Sequence, residues 1–177
     1  MNDSPPSFRV MVGLGNPGPE YDGTYHNAGA LAVDFWAKEA GVTLKKQGRE
    51  SWAQAKTGPL LLAKPVAFMN VSGPVVHKLL RAIQAAPADL LLVHDDSDLP
   101  LGEWRLVFGR GAAGHHGVES VIAALRTKDF WRLRLGIRHG RGKAGEFVLR
   151  KMTAANRKKF YLGLKEVTEK VMENTNP

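Results

Sequence analysis

The hydrophobic positions of the chain fall into short apolar runs that alternate with longer segments of helical spacing. The runs predict strands because they are short and end at Gly, Pro or polar turns. The predicted strands are residues 8–12, 52–56, 60–63, 89–93, 104–108 and 132–137. The predicted helices are about residues 25–40, 74–86, 118–126 and 153–172. This order predicts an α/β fold, a single-domain three-layer sandwich with a central mixed, mostly parallel sheet flanked by helices. We expect one domain over residues 1–177, with residues 1–7 as a flexible N-terminal extension.

The segment between the first strand and the first helix has the sequence VGLGNPGPEYDGTYHNAGA, residues 12–30. Its residues 13–18 formally match the G-x-G-x-x-G motif of dinucleotide-binding folds, which requires a helix directly after the glycines. Pro17, Pro19 and Gly23 oppose such a helix, so we expect a loop of about eight to ten residues. A dinucleotide-dependent oxidoreductase stays open as an alternative that rests on this motif alone.

His26 lies near the expected start of the first helix, with Thr24 as a candidate N-cap. The positive end of a helix dipole favours neutral imidazole, which is the form that a general base needs. The alternative is a histidine that only caps the helix or packs in the core.

Composition and charge narrow the class of protein. The chain has no cysteine, which excludes disulfides and thiolate metal sites. It has no signal-peptide pattern and no apolar run of membrane-spanning length, so we expect a cytoplasmic protein without a membrane partner. Residues 1–100 contain 9 Lys and Arg against 10 Asp and Glu, whereas residues 101–177 contain 16 against 7. The basic residues are densest at 126–151, which indicates either a polyanion partner such as nucleic acid or a solvated basic face.

Polar residues follow several predicted strands and are expected to meet at one edge of the sheet. They are Asn16 with His26, then Asn70, then Asp95, and finally the pair His115 and His116. If Asp95 accepts a hydrogen bond from one nitrogen of His26, the other nitrogen is free to take a proton from water. With no cysteine and no serine in a nucleophile elbow, this arrangement indicates hydrolysis of a reactive bond such as an ester.

The remaining polar residues near these positions receive less specific predictions. Asp96 and Asp98 suggest a divalent-ion site, but an ordering role in their loop is favoured, so no metal is predicted. His94 is expected to be either structural or functional, with no preference. His77 and His139 are expected to be surface residues, and residues 140–145 a flexible loop.

Five motifs occur in register: GLGNPGPEYDGTYHNAG, KPVAFMNVSG, HDDSDLPLG, GHHG and RLRLGI. In this order and spacing the chain closely resembles the bacterial-type peptidyl-tRNA hydrolases over about residues 10–149. The resemblance implies a small monomeric α/β enzyme that uses no metal or cofactor. It also implies hydrolysis of the ester between a peptide and the 3′ ribose of tRNA, with the acceptor stem and 3′ CCA end as binding partners.

The resemblance also implies roles for individual residues. His26 matches the catalytic base and Asp95 its acidic partner, while Arg134 matches a residue that binds a tRNA phosphate. Further candidates for the substrate crevice are Asn16, Tyr21, Phe68, Met69 and Asn70.

The chain departs from the family pattern in several places. The usual Gly-His-Asn-Gly reads GHHG, so His116 replaces a substrate-site asparagine, and its titration is expected to steepen the acid side of the pH–rate profile. Just before it, Arg110, Ala112 and Ala113 replace glycines.

Another departure concerns phosphate binding. Val107 stands where a phosphate-binding lysine is common in the family, and Arg105 on the same strand face is the expected substitute. These changes keep a non-catalytic RNA-binding protein open as an alternative.

Overall fold

A computed structural model describes residues 8–140 and 143–172. The predicted N-terminal extension, residues 1–7, lies outside the described residues. The strands are β1 Val10–Gly13, β2 Lys45–Lys46, β3 Trp52–Thr57, β4 Leu60–Pro65, β5 Leu90–Pro100, β6 Trp104–Phe108 and β7 Trp131–Arg138. The α-helices are α1 Ala28–Glu39, α2 Ser72–Ala82, α3 His116–Leu125, α4 Ala144–Phe147 and α5 Ala154–Val167. Three 3₁₀ helices lie at Tyr25–Asn27, Met69–Val71 and Pro87–Asp89, and a π-helix at Thr168–Met172 continues α5.

The strands form a single mixed sheet in the order β2-β3-β4-β1-β5-β7-β6. The four central strands β4, β1, β5 and β7 are parallel to their neighbours within this group. The outer strands β3, β2 and β6 pair antiparallel. The predicted α/β architecture with a mixed sheet is therefore confirmed.

Two hydrophobic cores cover the two faces of the sheet. On one face α1 and α5 pack against side chains such as Met11, Leu91 and Leu133. On the other face α2 and α3 pack against alternate positions of the same strands, such as Val12 and Leu92. This sidedness follows from the period of two in a strand, and it explains why the apolar run of β5 is continuous rather than alternating.

Several element boundaries differ from the prediction. β5 continues through the acidic segment to Pro100, where a loop was expected, and its pairing with β7 shifts register between Asp96 and Pro100. α2 ends at Ala82 rather than near residue 86, and β2 and α4 lie where loops were expected.

The predicted N-cap of the last helix, Thr153, is confirmed, because its Oγ1 accepts from the backbone N–H of Asn156 at 3.2 Å.

The loop after β1 brings the first helix across the sheet. Its residues 14–24 precede the 3₁₀ helix at Tyr25–Asn27, so no helix follows the glycine motif directly and the dinucleotide-binding interpretation is wrong. α1 approaches so closely at Gly29 that a Cβ there would lie 2.2 Å from the carbonyl oxygen of Val93. This close approach places His26, just before α1, beside Asp95 of β5.

None of the described helices combines the length and apolarity needed to cross a membrane.

Candidate active site

A cleft of about 210 Å³ opens beside β5, between the 3₁₀ helix that carries His26 and the loop before α3. Asp95 occupies its floor and is only 4% exposed. Both the β5 strand and the start of α3 contribute to the walls. The cleft is lined by His26, His94, Asp95, His115, His116 and Arg134, among others.

Asp95 joins two histidines from different parts of the chain. Its Oδ1 lies 2.9 Å from Nδ1 of His26 and 2.8 Å from Nε2 of His115, and its Oδ2 lies 3.0 Å from the same nitrogen of His26. Burial raises the pKa of Asp95, but the charge and hydrogen bonds of His115 and His26 outweigh burial and hold that pKa well below its usual range. Asp95 is therefore a carboxylate, which can only accept, and each histidine must donate to it.

In its neutral form, His26 is consequently protonated on Nδ1, and its Nε2 is unprotonated at the cleft. Burial lowers the pKa of His26, but the hydrogen bond and the negative charge of Asp95 raise it more, so the pKa lies above its ordinary value. The predicted preference for neutral imidazole at a helix N-terminus is therefore wrong in direction, because Asp95 is the stronger influence. A higher pKa makes His26 a stronger base once it is neutral.

The local structure around His26 also differs from the predicted helix start. His26 lies in the 3₁₀ helix that precedes α1, and its backbone N–H donates to the carbonyl of Val148 at 2.8 Å. Thr24 makes no side-chain cap; its hydroxyl instead donates to the carbonyl of Tyr21 at 2.8 Å. The short 3₁₀ turn and the Val148 contact fix the ring against Asp95.

His115 is the site residue whose role the sequence did not specify. It is the N-cap of α3, and its Nδ1 accepts from the backbone N–H of Val118 at 3.3 Å. Nε2 therefore carries the proton that is donated to Asp95. The adjacent His116 begins α3 with its side chain 77% exposed, and its Nδ1 lies 3.1 Å from Oε2 of Glu119. His116 lines the rim of the cleft, but its ring bonds to Glu119 rather than to the His26–Asp95 pair.

The asparagine Asn16 is held by its neighbours at the end of β1. Its Oδ1 accepts from the backbone N–H of Met69 at 2.8 Å, which leaves the Nδ2 amide to donate elsewhere. The buried Asn27, which the sequence analysis did not single out, fixes the backbone of Asn16 through two hydrogen bonds of 2.9 and 3.0 Å. Asn70 is exposed on the 3₁₀ helix at Met69–Val71.

The apolar candidates separate into a rim and a core residue. Phe68 is 53% exposed and its ring meets the edge of Tyr21 at a centroid distance of 6.1 Å. Met69 is 4% exposed and packs in the core on the α2–α3 face of the sheet. Asn16 lines a second cleft of about 240 Å³ with Gly15, Asp22 and Lys64. The structure thus brings His26, Asp95 and His115 together and places the Asn16, Tyr21 and Phe68 group around the β1 loop.

The two predicted phosphate-binding arginines lie on neighbouring strands. Arg105 of β6 and Arg134 of β7 are directly paired, and Arg105 is exposed. Asp96 accepts a short hydrogen bond from Nε of Arg134, which leaves the two terminal nitrogens of Arg134 as donors. The alternation of Arg and Leu in β7 is typical of a strand with one basic and one apolar face, but Arg132, two residues before Arg134, is buried at 2% exposure.

Two other histidines are more constrained than the sequence suggested. His94 is 2% exposed, and it is one of the residues that line the cleft. His139 is exposed as predicted, but its ring also stacks on Tyr25 with a centroid distance of 4.3 Å and an interplanar angle of 7°. Its Nδ1 also lies 3.1 Å from the carbonyl oxygen of Ile137.

His26, Asp95 and His115 each offer a ligand atom within 4.8 Å of the others, which is the spacing of a possible metal site. A metal on Nε2 of His115 would require a proton on Nδ1, and that proton would oppose the N–H of Val118. The observed hydrogen bonds therefore fit a proton-sharing cluster better than a metal site.

Comparisons with known proteins agree with this geometry. The peptidyl-tRNA hydrolase family model matches residues 10–176. A peptidyl-tRNA hydrolase of Mycobacterium sp. (strain KMS) is 44% identical over 155 residues, which cover 84% of this chain and 80% of the relative. One of Cupriavidus necator is 43% identical over 142 residues, which cover 78% and 72%.

A solved structure gives the same answer for the fold. The crystal structure of peptidyl-tRNA hydrolase from Acinetobacter baumannii superposes with a TM-score of 0.86 at 30% identity, covering 98% of this chain and 91% of that one. The chain belongs to the peptidyl-tRNA hydrolase family.

Proposed function

We propose that this enzyme hydrolyses peptidyl-tRNA with water activated by His26 and oriented by Asp95. The substrate bond is the ester between the carbonyl carbon of the peptide and the 3′ oxygen of the terminal ribose. The observation that supports this most directly is that Asp95 accepts from Nδ1 of His26 and leaves Nε2 as its unprotonated nitrogen at the cleft.

The reaction follows from this tautomer. Nε2 of His26 takes a proton from water, and the water oxygen attacks the ester carbon to form a tetrahedral intermediate. The bond from carbon to the 3′ oxygen then breaks, and the proton on His26 passes to that leaving oxygen. The products are a peptide carboxylic acid and a tRNA with a free 3′ hydroxyl. Asp95 stabilises the imidazolium that exists between the two proton transfers.

We propose that the residues around the β1 loop hold the acyl part of the substrate. The free Nδ2 donor of Asn16 and the exposed amide of Asn70 are suited to bind substrate carbonyl oxygens or the developing oxyanion. The exposed ring of Phe68, packed against Tyr21, offers an apolar rim for peptide side chains. His116 is available to the substrate only after its ring leaves Glu119.

The tRNA part is proposed to contact the arginines of β6 and β7. Because Asp96 holds Nε of Arg134, the two terminal nitrogens of that guanidinium are preorganised for a phosphate of the acceptor stem. Arg105 lies directly beside it and adds a second exposed cation. Arg134 also lines the His26 cleft, so binding there would bring the 3′ CCA end toward the catalytic pair.

The remaining expectations concern the chain as a whole. One sheet carries both cores, which supports a single domain over residues 1–177. The proposed catalytic groups all come from one chain, which supports action as a monomer. An enzyme that releases tRNA for reuse acts where translation occurs, which supports a cytoplasmic location.

The proposal is tested with N-acetyl-aminoacyl-tRNA, by following release of the acyl amino acid. The wild-type protein should turn over this substrate, and His26→Ala should bind tRNA without turnover. Full activity of His26→Ala would disprove the assignment of the base. Binding of tRNA by the wild type without any turnover would instead support the non-catalytic RNA-binding alternative.

A further inference from the structure

Arg132 is a buried cation that the proposed reaction does not use. It lies on β7, a central strand of the sheet, and is 2% exposed. Within residues 8–140 and 143–172, no carboxylate forms an ion pair with it by direct contact. Burial and the charge of Arg134 lower the pKa of Arg132, and the charge of Asp96 only partly opposes this. Burial of a charge is costly unless its hydrogen bonds are made, so the contacts of Arg132 need an explanation.

The guanidinium donates to two groups that both lead to the active site. Its Nη1 lies 3.2 Å from Nε2 of His94, and its Nη2 lies 2.7 Å from the carbonyl oxygen of Gly111. Since a guanidinium only donates, Nε2 of His94 must be unprotonated. The proton of His94 is therefore on Nδ1, which lies 2.7 Å from the carbonyl oxygen of Asp95.

This arrangement fixes His94 in one neutral tautomer. Burial lowers the pKa of His94 well below its usual range, and the charges of His115 and Arg132 lower it further. The fixed ring meets the edge of His115, with a centroid distance of 4.7 Å and an interplanar angle of 70°. The His94 ring, which Arg132 holds by a hydrogen bond, therefore packs against one side of the His115 ring.

The other contact of Arg132 acts on the loop that carries His115. In this loop, residues 109–115, the backbone has positive φ at Gly109, Ala113 and Gly114. A positive φ at Ala113 costs free energy because of its Cβ, so the surrounding contacts must hold the loop in this conformation. The hydrogen bond from Arg132 to Gly111 is one such contact, four residues before His115.

We propose that Arg132 is a positioning residue, which holds the His94 ring and the loop 109–115 so that His115 donates to Asp95. Asp95 in turn orients His26, so this inference rests on the proposed function for its effect on rate. Arg132 contacts no reacting atom and acts through His94 and Gly111. The assignment distinguishes it from Arg134, its neighbour two residues along the strand, which is proposed to contact phosphate.

The first test reads the tautomer directly and needs no activity. The chain has six histidines, so the imidazole ¹H–¹⁵N spectrum can be assigned with single histidine variants. In the wild type, His94 should carry its proton on Nδ1 and should not titrate between about pH 5 and 8. In Arg132→Met, His94 should begin to titrate or change tautomer. A proton on Nε2 of wild-type His94 would overturn the proposal, even if the variant failed to fold.

The second test separates positioning from binding by kinetics. Arg132→Met should lower kcat by about 10- to 100-fold, the scale of a catalytic group misplaced by about 1 Å, with KM changed less than about threefold. Arg132→Lys keeps the charge but loses one of the two contacts, and should recover part of kcat. Arg9→Met, which removes a cation at the amino end of β1, is the matched control and should keep wild-type kinetics.

The outcomes distinguish this inference from the proposed function. A rise in KM at constant kcat for Arg132→Met would overturn the positioning role in favour of substrate binding, and unchanged kinetics would overturn any role. If His26→Ala stays active, the proposed base fails, yet the His94 tautomer still tests the Arg132 contact. Thermal unfolding of each variant confirms that it is folded before its kinetics are compared.

Discussion

Nε2 of His115 lies 2.8 Å from Oδ1 of Asp95, the same oxygen that accepts from Nδ1 of His26. Two imidazoles therefore donate to one buried carboxylate, and only His26 has its second nitrogen available for the substrate, because Nδ1 of His115 caps α3. His115, just before α3, thus helps to orient the carboxylate of Asp95. That carboxylate in turn orients His26, just before α1.

His26→Ala should lower kcat/KM by at least about 100-fold, the low end for loss of a general base, while tRNA affinity stays within about threefold. Asp95→Asn should cost less, because the base remains and only its orientation and charge are affected. The measurements are ester hydrolysis under single-turnover conditions and tRNA binding by filter retention. Retention of more than about a tenth of wild-type activity by His26→Ala would contradict its role.

The acid side of the pH–rate profile should report His26. Protonated His26 cannot accept a proton, so activity is lost as pH falls through its pKa, which Asp95 raises above the ordinary value despite burial. In Asp95→Asn the raising influence is removed and burial remains, so the acid limb should move to lower pH while the plateau falls. The measurement is kcat/KM from about pH 5 to 8.5.

The control for this prediction is Asp89→Asn, which changes an acid at the amino end of β5, far along the strand from Asp95. The acid side of its pH–rate profile should match that of the wild type. If Asp95→Asn keeps the acid side of the wild-type profile, a group other than His26 controls that loss of activity.

The sequence predicted the architecture well because the strands and helices have distinct hydrophobic periods. It predicted the pairing of His26 with Asp95 because each comes after a buried apolar run and matches a family motif. It assigned a substrate-site role to His116 and none to His115, because the apolar pattern does not specify the residue at which α3 begins. The side chain of the N-cap residue His115 faces Asp95, whereas that of the first helical residue His116 faces solvent. If α3 began one residue later, His116 would be the N-cap instead.

The buried role of Arg132 was also beyond the sequence. An Arg-Leu-Arg-Leu alternation is typical of a strand with one exposed face. Here that face is covered at Arg132, whose guanidinium donates to the carbonyl of Gly111 in the loop before α3. Only the tertiary contact of a loop from another part of the chain distinguishes the buried Arg132 from the more accessible Arg134.

Affinity for tRNA should fall with salt, and Arg134→Ala should reduce the slope of log affinity against log salt by about 0.7 to 0.9, one phosphate contact. The reason is that Asp96 leaves two donors of Arg134 for phosphate. Arg9→Ala, at the amino end of the central strand β1, is the control for loss of one positive charge and should keep the slope. An unchanged slope for Arg134→Ala would show that its guanidinium binds only Asp96.

Activity should survive EDTA. Water is activated by the His26–Asp95 pair, and the N–H of Val118 holds His115 in a tautomer that is unsuited to metal binding through Nε2. The measurement uses an N-acetyl-aminoacyl minihelix of the acceptor stem, whose fold does not depend on magnesium. Loss of activity with EDTA, followed by recovery on addition of one particular metal ion, would contradict a metal-free mechanism.

His116→Asn should leave the pH–rate profile unchanged, in contrast to the expectation from the sequence. The ring of His116 is 77% exposed, lies against Glu119 and does not contact Asp95, so solvent screens its charge from the site. We therefore expect kcat/KM within about twofold of the wild type at every pH. The matched variant is His115→Phe, which keeps a ring at the neighbouring position but removes the donor to Asp95 and the cap to Val118, and it should lower kcat at least tenfold. A shallower acid limb for His116→Asn than for the wild type would show instead that the ring leaves Glu119 and titrates beside His26.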